Sequence, residues 1–317
     1  MSTSTEAAVI PETPKRRLRG GGRPPREGTP AEAVAGWLFV LPFLLIFAVF
    51  TAIPALLAVG ASLTDMTARD IRNPSSVNFV GFDTFLGVLG NPTFQQAFFT
   101  TILFVVLCVP LSMGLGLALA LMLNTGIRRL RSTFRAAAYI PVITNIVAAA
   151  VIWQYAFSIT GPVNATLESV GLPHPNWFGE SGWAITTVVM MGVWRTAGYA
   201  MILFLAGLQA IPEEVLEAAS TDGASPARRL WSITMPLLRP TTLLITVLET
   251  VMFLNIFEEP FLLTRGGPLG STNSMALWVY QQFGFGNIAA SMAGSVLLLL
   301  LVGLVAIVQF RLLRPKH

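Results

Sequence analysis

The chain has 317 residues, of which 54% are hydrophobic and only 11% charged, and its formal net charge is +4 at pH 7. Soluble domains carry roughly 25% charged residues. This composition, with a mean hydropathy of +0.68, excludes a soluble domain and indicates a protein that crosses the membrane several times, which we expect to be the cell membrane.

The first segment, residues 1–33, is rich in Pro, Gly and Arg and has no apolar periodicity. Such a segment predicts a disordered basic cytoplasmic tail that lies near anionic membrane lipid. The apolar run that starts at Trp37 is longer than the roughly 7 to 15 apolar residues of a signal peptide. We therefore predict an uncleaved first span, and a transmembrane domain that covers residues 34–317.

Six apolar runs are long enough to cross the membrane, which takes about 20 helical residues. They predict an all-α membrane protein with six transmembrane helices. The runs lie near Trp37 to Leu63, Ala97 to Leu123, Ala136 to Phe157, Trp183 to Leu208, Thr241 to Leu263, and Ile288 to Phe310.

The orientation follows from the basic residues, because cytoplasmic loops near span ends carry the excess of Lys and Arg. With the amino terminus inside, the inner segments hold 16 Lys and Arg residues and the outer loops hold only Arg69, Arg72 and Arg265. This pattern predicts cytoplasmic N- and C-termini and places the polar loop 210–240 in the cytoplasm. It also accounts for the positive net charge, so nucleic-acid binding is not predicted.

Loop 210–240 carries the signals of two short helices joined by a tight turn. Pro212 suits a first helical position, and Gly223 suits the left-handed residue after a helix end. Ser225 then offers an N-cap, with Pro226 in the first turn of a second helix. We expect Pro236 to end that second helix.

The same loop resembles the coupling loop of permease subunits in binding-protein-dependent ATP-binding cassette (ABC) importers. That pattern is Glu-Ala-Ala, three residues, Gly, nine residues, Ile, two residues, Pro. Here the six places are filled by Glu217, Ala218, Ala219, Gly223, Ile233 and Pro236, and we expect Asp222 to steady the bend. The segments 204–211 and 257–268 resemble the sugar and glycerol-3-phosphate branch of this family.

This resemblance implies a type I ABC importer permease fold. It implies a chain that forms half of the path for a sugar or related polyol and that is not itself an enzyme. The implied partners are a second permease subunit, two ATPase subunits that hold ATP and Mg, and an extracytoplasmic solute-binding protein. The coupling loop would dock on an ATPase subunit and transmit its closure to the spans.

The chain lacks the residues of several other chemistries. It has no Gly-rich phosphate loop, and its only two lysines, Lys15 and Lys316, lie in the terminal segments. Cys108 is a single cysteine in an apolar run, and the two histidines lie in a loop and at the last position. We therefore expect no cofactor and no metal site on this chain.

Four charged residues lie within the predicted spans, and charges at that depth suggest function. Counted along straight helices, Arg195 of the fourth span and Glu249 of the fifth reach a similar depth. We expect them to pair or to share a polar network. The alternative is that each meets a different partner.

In the fifth span, Asn255, Glu258 and Glu259 follow the i, i+3, i+4 spacing that places side chains on one helix face. We expect Pro260 to bend this helix. In related importers this part of the helix helps to line the solute path, so the resemblance makes these three residues candidate substrate contacts. The alternative is a structural role at the outer end of the helix.

Two other functions compete with an ABC permease. One is an ion-coupled secondary transporter in which Glu249, Glu258 and Glu259 relay protons, although no internal repeat supports it. The other is a membrane-embedded transferase that acts on a lipid-linked sugar. The transferase leaves the pattern in loop 210–240 unexplained.

Overall fold

The computed structural model describes residues 30–125 and 131–313, and within them the chain is helical with no β-strand beyond one isolated bridge between Thr64 and Phe79. The chain divides into two compact units, residues 1–54 and 55–317. The α-helices are α1 Pro30–Phe47, α2 Ile53–Ser62, α3 Asp83–Gly90, α4 Pro92–Thr125, α5 Arg131–Ile143, α6 Ile146–Ala156, α7 Pro162–Ser169, α8 Ser181–Gln209, α9 Glu213–Thr221, α10 Pro226–Arg229, α11 Met235–Leu237, α12 Arg239–Leu254, α13 Glu258–Leu263, α14 Met275–Gly284 and α15 Ile288–Leu313. Short π-helical segments lie at Ala48–Ala52 and Leu230–Thr234, and 3-10 turns at Asp70–Arg72 and Pro74–Ser76.

Within the described residues, five helical segments are long and apolar enough to cross a membrane. They are Trp37–Ser62, Pro92–Asn124, Ser181–Gln209, Arg239–Leu263 and Ile288–Arg311. They confirm five of the six predicted spans.

The third predicted span is not one straight helix. Ser132–Ile143 and Ile146–Ala156 are two helices that meet at an angle of 95°. Asn145 starts the second helix by accepting hydrogen bonds from the amides of Val147 and Ala148 at 2.9 and 3.2 Å. An N-cap of this kind requires non-helical backbone at the capping residue, which interrupts the preceding helix. The pair makes a sixth crossing if its two halves form one span.

Most of the predicted basic tail, residues 1–29, lies outside the described residues. Helix α1 begins at Pro30, so the last four residues of the predicted tail, 30–33, are helical. Proline is favoured in the first turn of a helix, where its missing N–H costs no hydrogen bond.

Helix α8 lies at the centre of the second unit. It contacts α4, α5 and α12, and 61% of its most apolar window is buried, the largest share among the spans. Two glycines allow this close packing. A Cβ on Gly116 of α4 would lie 2.5 Å from the Cβ of Ala200, and a Cβ on Gly198 of α8 would lie 2.2 Å from the carbonyl oxygen of Ala138. Only a residue without a side chain fits at either crossing.

The loop between the first two spans is ordered by two carboxylates. Asp65 accepts hydrogen bonds from the backbone and side-chain nitrogens of Asn78, and these lower the pKa of Asp65. Asp70 accepts from the amide and hydroxyl of Thr67 and from the hydroxyl of Ser76, which lower its pKa as well. These side chains supply the partners that a regular helix or strand would otherwise supply.

Candidate functional site

The predicted coupling loop folds as a helix, a tight turn and a second helix. Helix α9 runs from Glu213 to Thr221, with Pro212 as its N-cap residue rather than its first helical residue. Gly223 follows the helix end with φ +76°, in the left-handed region that favours glycine. The amide of Ala224 then bonds the carbonyl of Ala219 at 3.0 Å, which closes the helix end.

The second helix begins as predicted but does not end at Pro236. Ser225 accepts a hydrogen bond from the amide of Arg228 at 3.3 Å, and Pro226 takes the first position of α10. The chain then passes through the π-helical segment Leu230–Thr234 and through Pro236 within α11. A proline ring clashes with the carbonyl four residues earlier in a regular α-helix, and the wider π-turn just before Pro236 relieves this clash. Pro236 therefore lies inside the connection to the fifth span.

We call the segment from α9 through the turn at Gly223 to α11 the elbow. The residues of the coupling-loop pattern lie on its outer and inner sides. Glu217, Ala218, Asp222 and Gly223 are exposed, whereas Ala219 is buried and Ile233 and Pro236 are half-buried. Leu216 faces inward and lines a cavity of about 350 Å³ between the elbow and the inner ends of α4 and α8. The exposed side therefore presents polar and small groups.

The fifth span is broken before its outer end. Helix α12 ends at Leu254, residues 255–257 are not helical, and α13 begins at Glu258. The helical face predicted for Asn255, Glu258 and Glu259 is therefore not formed. Pro260 is the third residue of α13, where its missing N–H costs no helical hydrogen bond, so the break lies before the proline.

Neighbouring elements bond backbone carbonyls at both ends of α13. Ser274, the N-cap of α14, donates from its hydroxyl to the carbonyl of Ile256 at 2.5 Å. Gln154 of α6 donates from its side-chain amide to the carbonyl of Leu262 at 2.7 Å. Non-helical backbone is tolerated at membrane depth only when its polar groups find such partners. These contacts hold α13 in place as a separate short helix.

Arg195, near the middle of α8, forms ion pairs with both carboxylates of α13. Its Nη1 donates to Oε2 of Glu258 at 2.9 Å, and its Nε lies 3.0 Å from Oε1 of Glu259. The second contact is close enough for an ion pair but lacks hydrogen-bond geometry. The Glu259 side chain is 3% exposed and that of Glu258 is 49% exposed. The ion pair with Glu259 is therefore buried, whereas the ion pair with Glu258 is partly exposed.

The predicted pair between Arg195 and Glu249 is not formed, and each side chain has a different partner. Glu249 is fully buried and accepts a hydrogen bond from the hydroxyl of Ser112 on α4. Its other oxygen has no hydrogen-bond partner among the described residues. Depth along a helix carries no information about the direction in which a side chain points.

The break and the ion pairs enclose a cavity of about 230 Å³. It brings together four predicted residues, Arg195, Asn255, Glu258 and Glu259, and leaves Glu249 outside. Its other lining residues are Thr196, Met252, Phe253, Ile256 and Phe257. Carboxylate and amide groups in a confined space of this kind are suited to binding hydroxyl groups.

The sequence analysis missed three features of this region. Ser112 and Ser274, which bond Glu249 and the broken helix, are single polar residues whose partners are distant in the chain. An aromatic cluster beside the cavity was missed too: the rings of Phe257 and Phe261 stack at 5.2 Å, and Tyr280 packs edge-on against both. The aromatic residues at these positions were the one signal available, and aromatic residues are common in any membrane span.

Residues 112–317 match the family described as the inner membrane component of binding-protein-dependent transport systems. The chain is 35% identical over 272 residues to the trehalose/maltose transport system permease protein MalF of Thermococcus litoralis, with 86% of this chain and 90% of that protein covered. It is 32% identical to the lactose transport system permease protein LacF of Rhizobium radiobacter, with 89% and 95% covered. It is 33% identical to the sn-glycerol-3-phosphate transport system permease protein UgpA of Agrobacterium fabrum, with 88% and 94% covered.

The fold matches a solved structure over nearly its whole length. A chain from the crystal structure of a bacterial alginate ABC transporter, in complex with its alginate pentasaccharide-bound periplasmic protein, superposes with a TM-score of 0.77. The sequence identity is 21%, and 90% of this chain and 95% of that chain are covered. The type I permease fold predicted from the resemblance is confirmed.

These matches give no support to an ion-coupled transporter that uses Glu249, Glu258 and Glu259, nor to a lipid-linked transferase. They agree with the multi-pass composition and with the register of the loop around Glu217. The chain belongs to the family of inner membrane components of binding-protein-dependent transport systems, the non-enzymatic permease subunits of ABC importers.

Proposed function

We propose that this permease forms half of the translocation path for a sugar or related polyol, with a second permease subunit as the other half. Two cytoplasmic ATPase subunits hold ATP and Mg, and an extracytoplasmic solute-binding protein delivers the solute. The observation that carries the proposal is the elbow at Gly223, whose exposed side carries Glu217, Ala218 and Asp222 between the fourth and fifth spans.

The elbow is connected to the spans in a way that suits the transmission of force. The chain is helical from Pro226 to Leu254 apart from Leu238, so a displacement of the elbow moves the fifth span with it. Helix α9 follows α8 after only three residues. Closure of the ATPase pair around nucleotide would tilt both spans as rigid bodies, and the cavity beside α13 would open to alternate sides of the membrane.

The cavity supplies the chemistry for a polyhydroxylated solute. Asn255 and Glu258 are both exposed to it, and their oxygens accept hydrogen bonds from hydroxyl groups. Phe257 lines the cavity, and its ring stacks on Phe261 and packs edge-on with Tyr280. An aromatic ring at this position suits the apolar face of a sugar ring. The proposed path therefore has both the polar and the apolar contacts that a carbohydrate needs.

Changing Gly223 to Val is expected to abolish ATPase-coupled uptake, whereas changing Gly223 to Asn is expected to preserve most of it. A Cβ at Gly223 meets no atom within 4 Å, so the cost is the left-handed backbone alone. That conformation costs an ordinary residue roughly 1–2 kcal/mol, more for a β-branched one and less for Asn. Co-purification of the ATPase with each variant and uptake into proteoliposomes measure the effect. Equal uptake by both variants would contradict a role for the turn.

Changing Asn255 or Glu258 to Ala is expected to lower the solute-stimulated ATPase rate of the assembled complex by about tenfold, since one hydrogen bond to a buried solute contributes roughly 1–1.5 kcal/mol. The control is Leu299→Ala, which shortens an exposed apolar side chain on α15 far from the cavity. The rates are measured in liposomes with the binding protein present. Wild-type rates in both variants would show that the two residues do not contact the solute and have a structural role.

A further inference from the structure

The cavity beside α13 contains one positive charge, and that charge is already neutralised. Among its lining residues Arg195 is the one cation, and it contacts a carboxylate at 2.9 Å and a second one at 3.0 Å. The Glu258 carboxylate already balances the charge of Arg195, and Glu259 is a second acidic group beside it. An anionic solute would therefore find no free cation there and would face the exposed carboxylate of Glu258.

Two other side-chain donors that line the cavity are already bonded within the protein. The hydroxyl of Thr196 donates to the carbonyl of Gly192 at 2.9 Å, and the side-chain nitrogen of Asn255 donates to the carbonyl of Val251 at 2.8 Å. The side-chain oxygens of Asn255 and Glu258 are acceptors. At the side-chain oxygens of Asn255 and Glu258, a solute therefore supplies the proton of each hydrogen bond.

We propose that this cavity selects uncharged or amino-bearing sugars and polyols and excludes anionic ones such as uronates, sugar phosphates and sugar sulfonates. The selection results from the pairing of Arg195 with two carboxylates of α13. It deepens the function proposed above, since it rests on this cavity being part of the solute path.

The test measures the electrostatic potential in the cavity without depending on any solute. Asn255 is exposed to the cavity, and the chain's single native cysteine, Cys108, is buried. An Asn255→Cys variant of the full permease, in the assembled complex in proteoliposomes, is treated with two methanethiosulfonate reagents. One carries a trimethylammonium group and the other a sulfonate. The modified fraction of the peptide around position 255 is followed over time by mass spectrometry.

The ratio of the two rates is normalised to the ratio at Ser169→Cys, an exposed position in α7 outside the cavity. We expect the cationic reagent to be favoured by about tenfold at position 255, the low end of the effect of a cleft lined by one sign of charge. Adding Glu258→Gln is expected to bring the normalised ratio close to one. A normalised ratio of one or below in the Asn255→Cys variant would overturn the proposal. A ratio that Glu258→Gln leaves unchanged would overturn it too.

This result is independent of whether the complex transports a sugar. The reagent rates are measured with the ATPase at rest, and the parent permease with Cys108 alone gives the background. A failure of the proposed function would appear as uptake without ATP or as full uptake by Gly223→Val. A failure of the charge selection would appear only in the reagent ratio.

Discussion

Replacing Arg195 by Leu is expected to lower the free energy of unfolding of the permease by about 3–5 kcal/mol, the usual cost of leaving a buried charge without its partner. The buried charge is Glu259, whose side chain is 3% exposed. The ion pair with Glu258 contributes much less to stability, roughly 1 kcal/mol or below, because the Glu258 side chain is 49% exposed. Retention of the monodisperse complex on size exclusion after heating measures the loss.

The two carboxylates provide matched rescue variants. Adding Glu259→Gln to Arg195→Leu removes the unpaired buried charge and should recover most of the lost stability. Adding Glu258→Gln to Arg195→Leu should recover little, since that carboxylate is solvated in the cavity. A parent-like Arg195→Leu variant, or equal rescue by the two second changes, would show that the cluster does not hold α13 against α8 in this way.

Replacing Gly116 by Ala is expected to destabilise the bundle by about 3 kcal/mol, the upper part of the usual range for overpacking. The new Cβ would lie 2.5 Å from the Cβ of Ala200, 2.9 Å from the amide nitrogen of Met201 and 3.0 Å from the carbonyl oxygen of Ala197. Two of these three atoms belong to the backbone of α8. They cannot move without shifting a helix that three others contact.

Gly114, two residues earlier in the same helix, is the control for Gly116. A Cβ at Gly114 meets no atom within 4 Å. Gly114→Ala should therefore leave stability unchanged or raise it by up to about 1 kcal/mol, the intrinsic helical preference for Ala over Gly. The two alanine variants are expected to change the midpoint of thermal unfolding in opposite directions. A similar effect of both variants would contradict the close contact between α4 and α8.

Features that depend on a few neighbouring residues were predicted well. The apolar runs located five membrane-length helical segments. The turn residues Gly223, Ser225 and Pro226 have the predicted roles, since left-handed backbone and helix caps are decided by the residues at the turn itself. The register around Glu217 pointed to the family that the comparisons later supported.

Features that depend on packing were predicted less well. The third span bends by 95° at Asn145, and the fifth breaks at residues 255–257 rather than at Pro260. The break at residues 255–257 is bonded by a group from elsewhere in the chain, the hydroxyl of Ser274, which no local pattern identifies. The bend of the third span differs, because Asn145 itself caps the second helix within an otherwise apolar run.

The sequence by itself determined that this chain crosses the membrane repeatedly, and that it carries a polar elbow between the fourth and fifth spans. Both properties follow from hydropathy and from backbone preferences that act within a few residues. The partners of the buried charges were decided only by the tertiary structure. Arg195 contacts Glu258 and Glu259 rather than Glu249 because the break turns α13 toward α8, and a lateral direction of this kind is set by how helices pack.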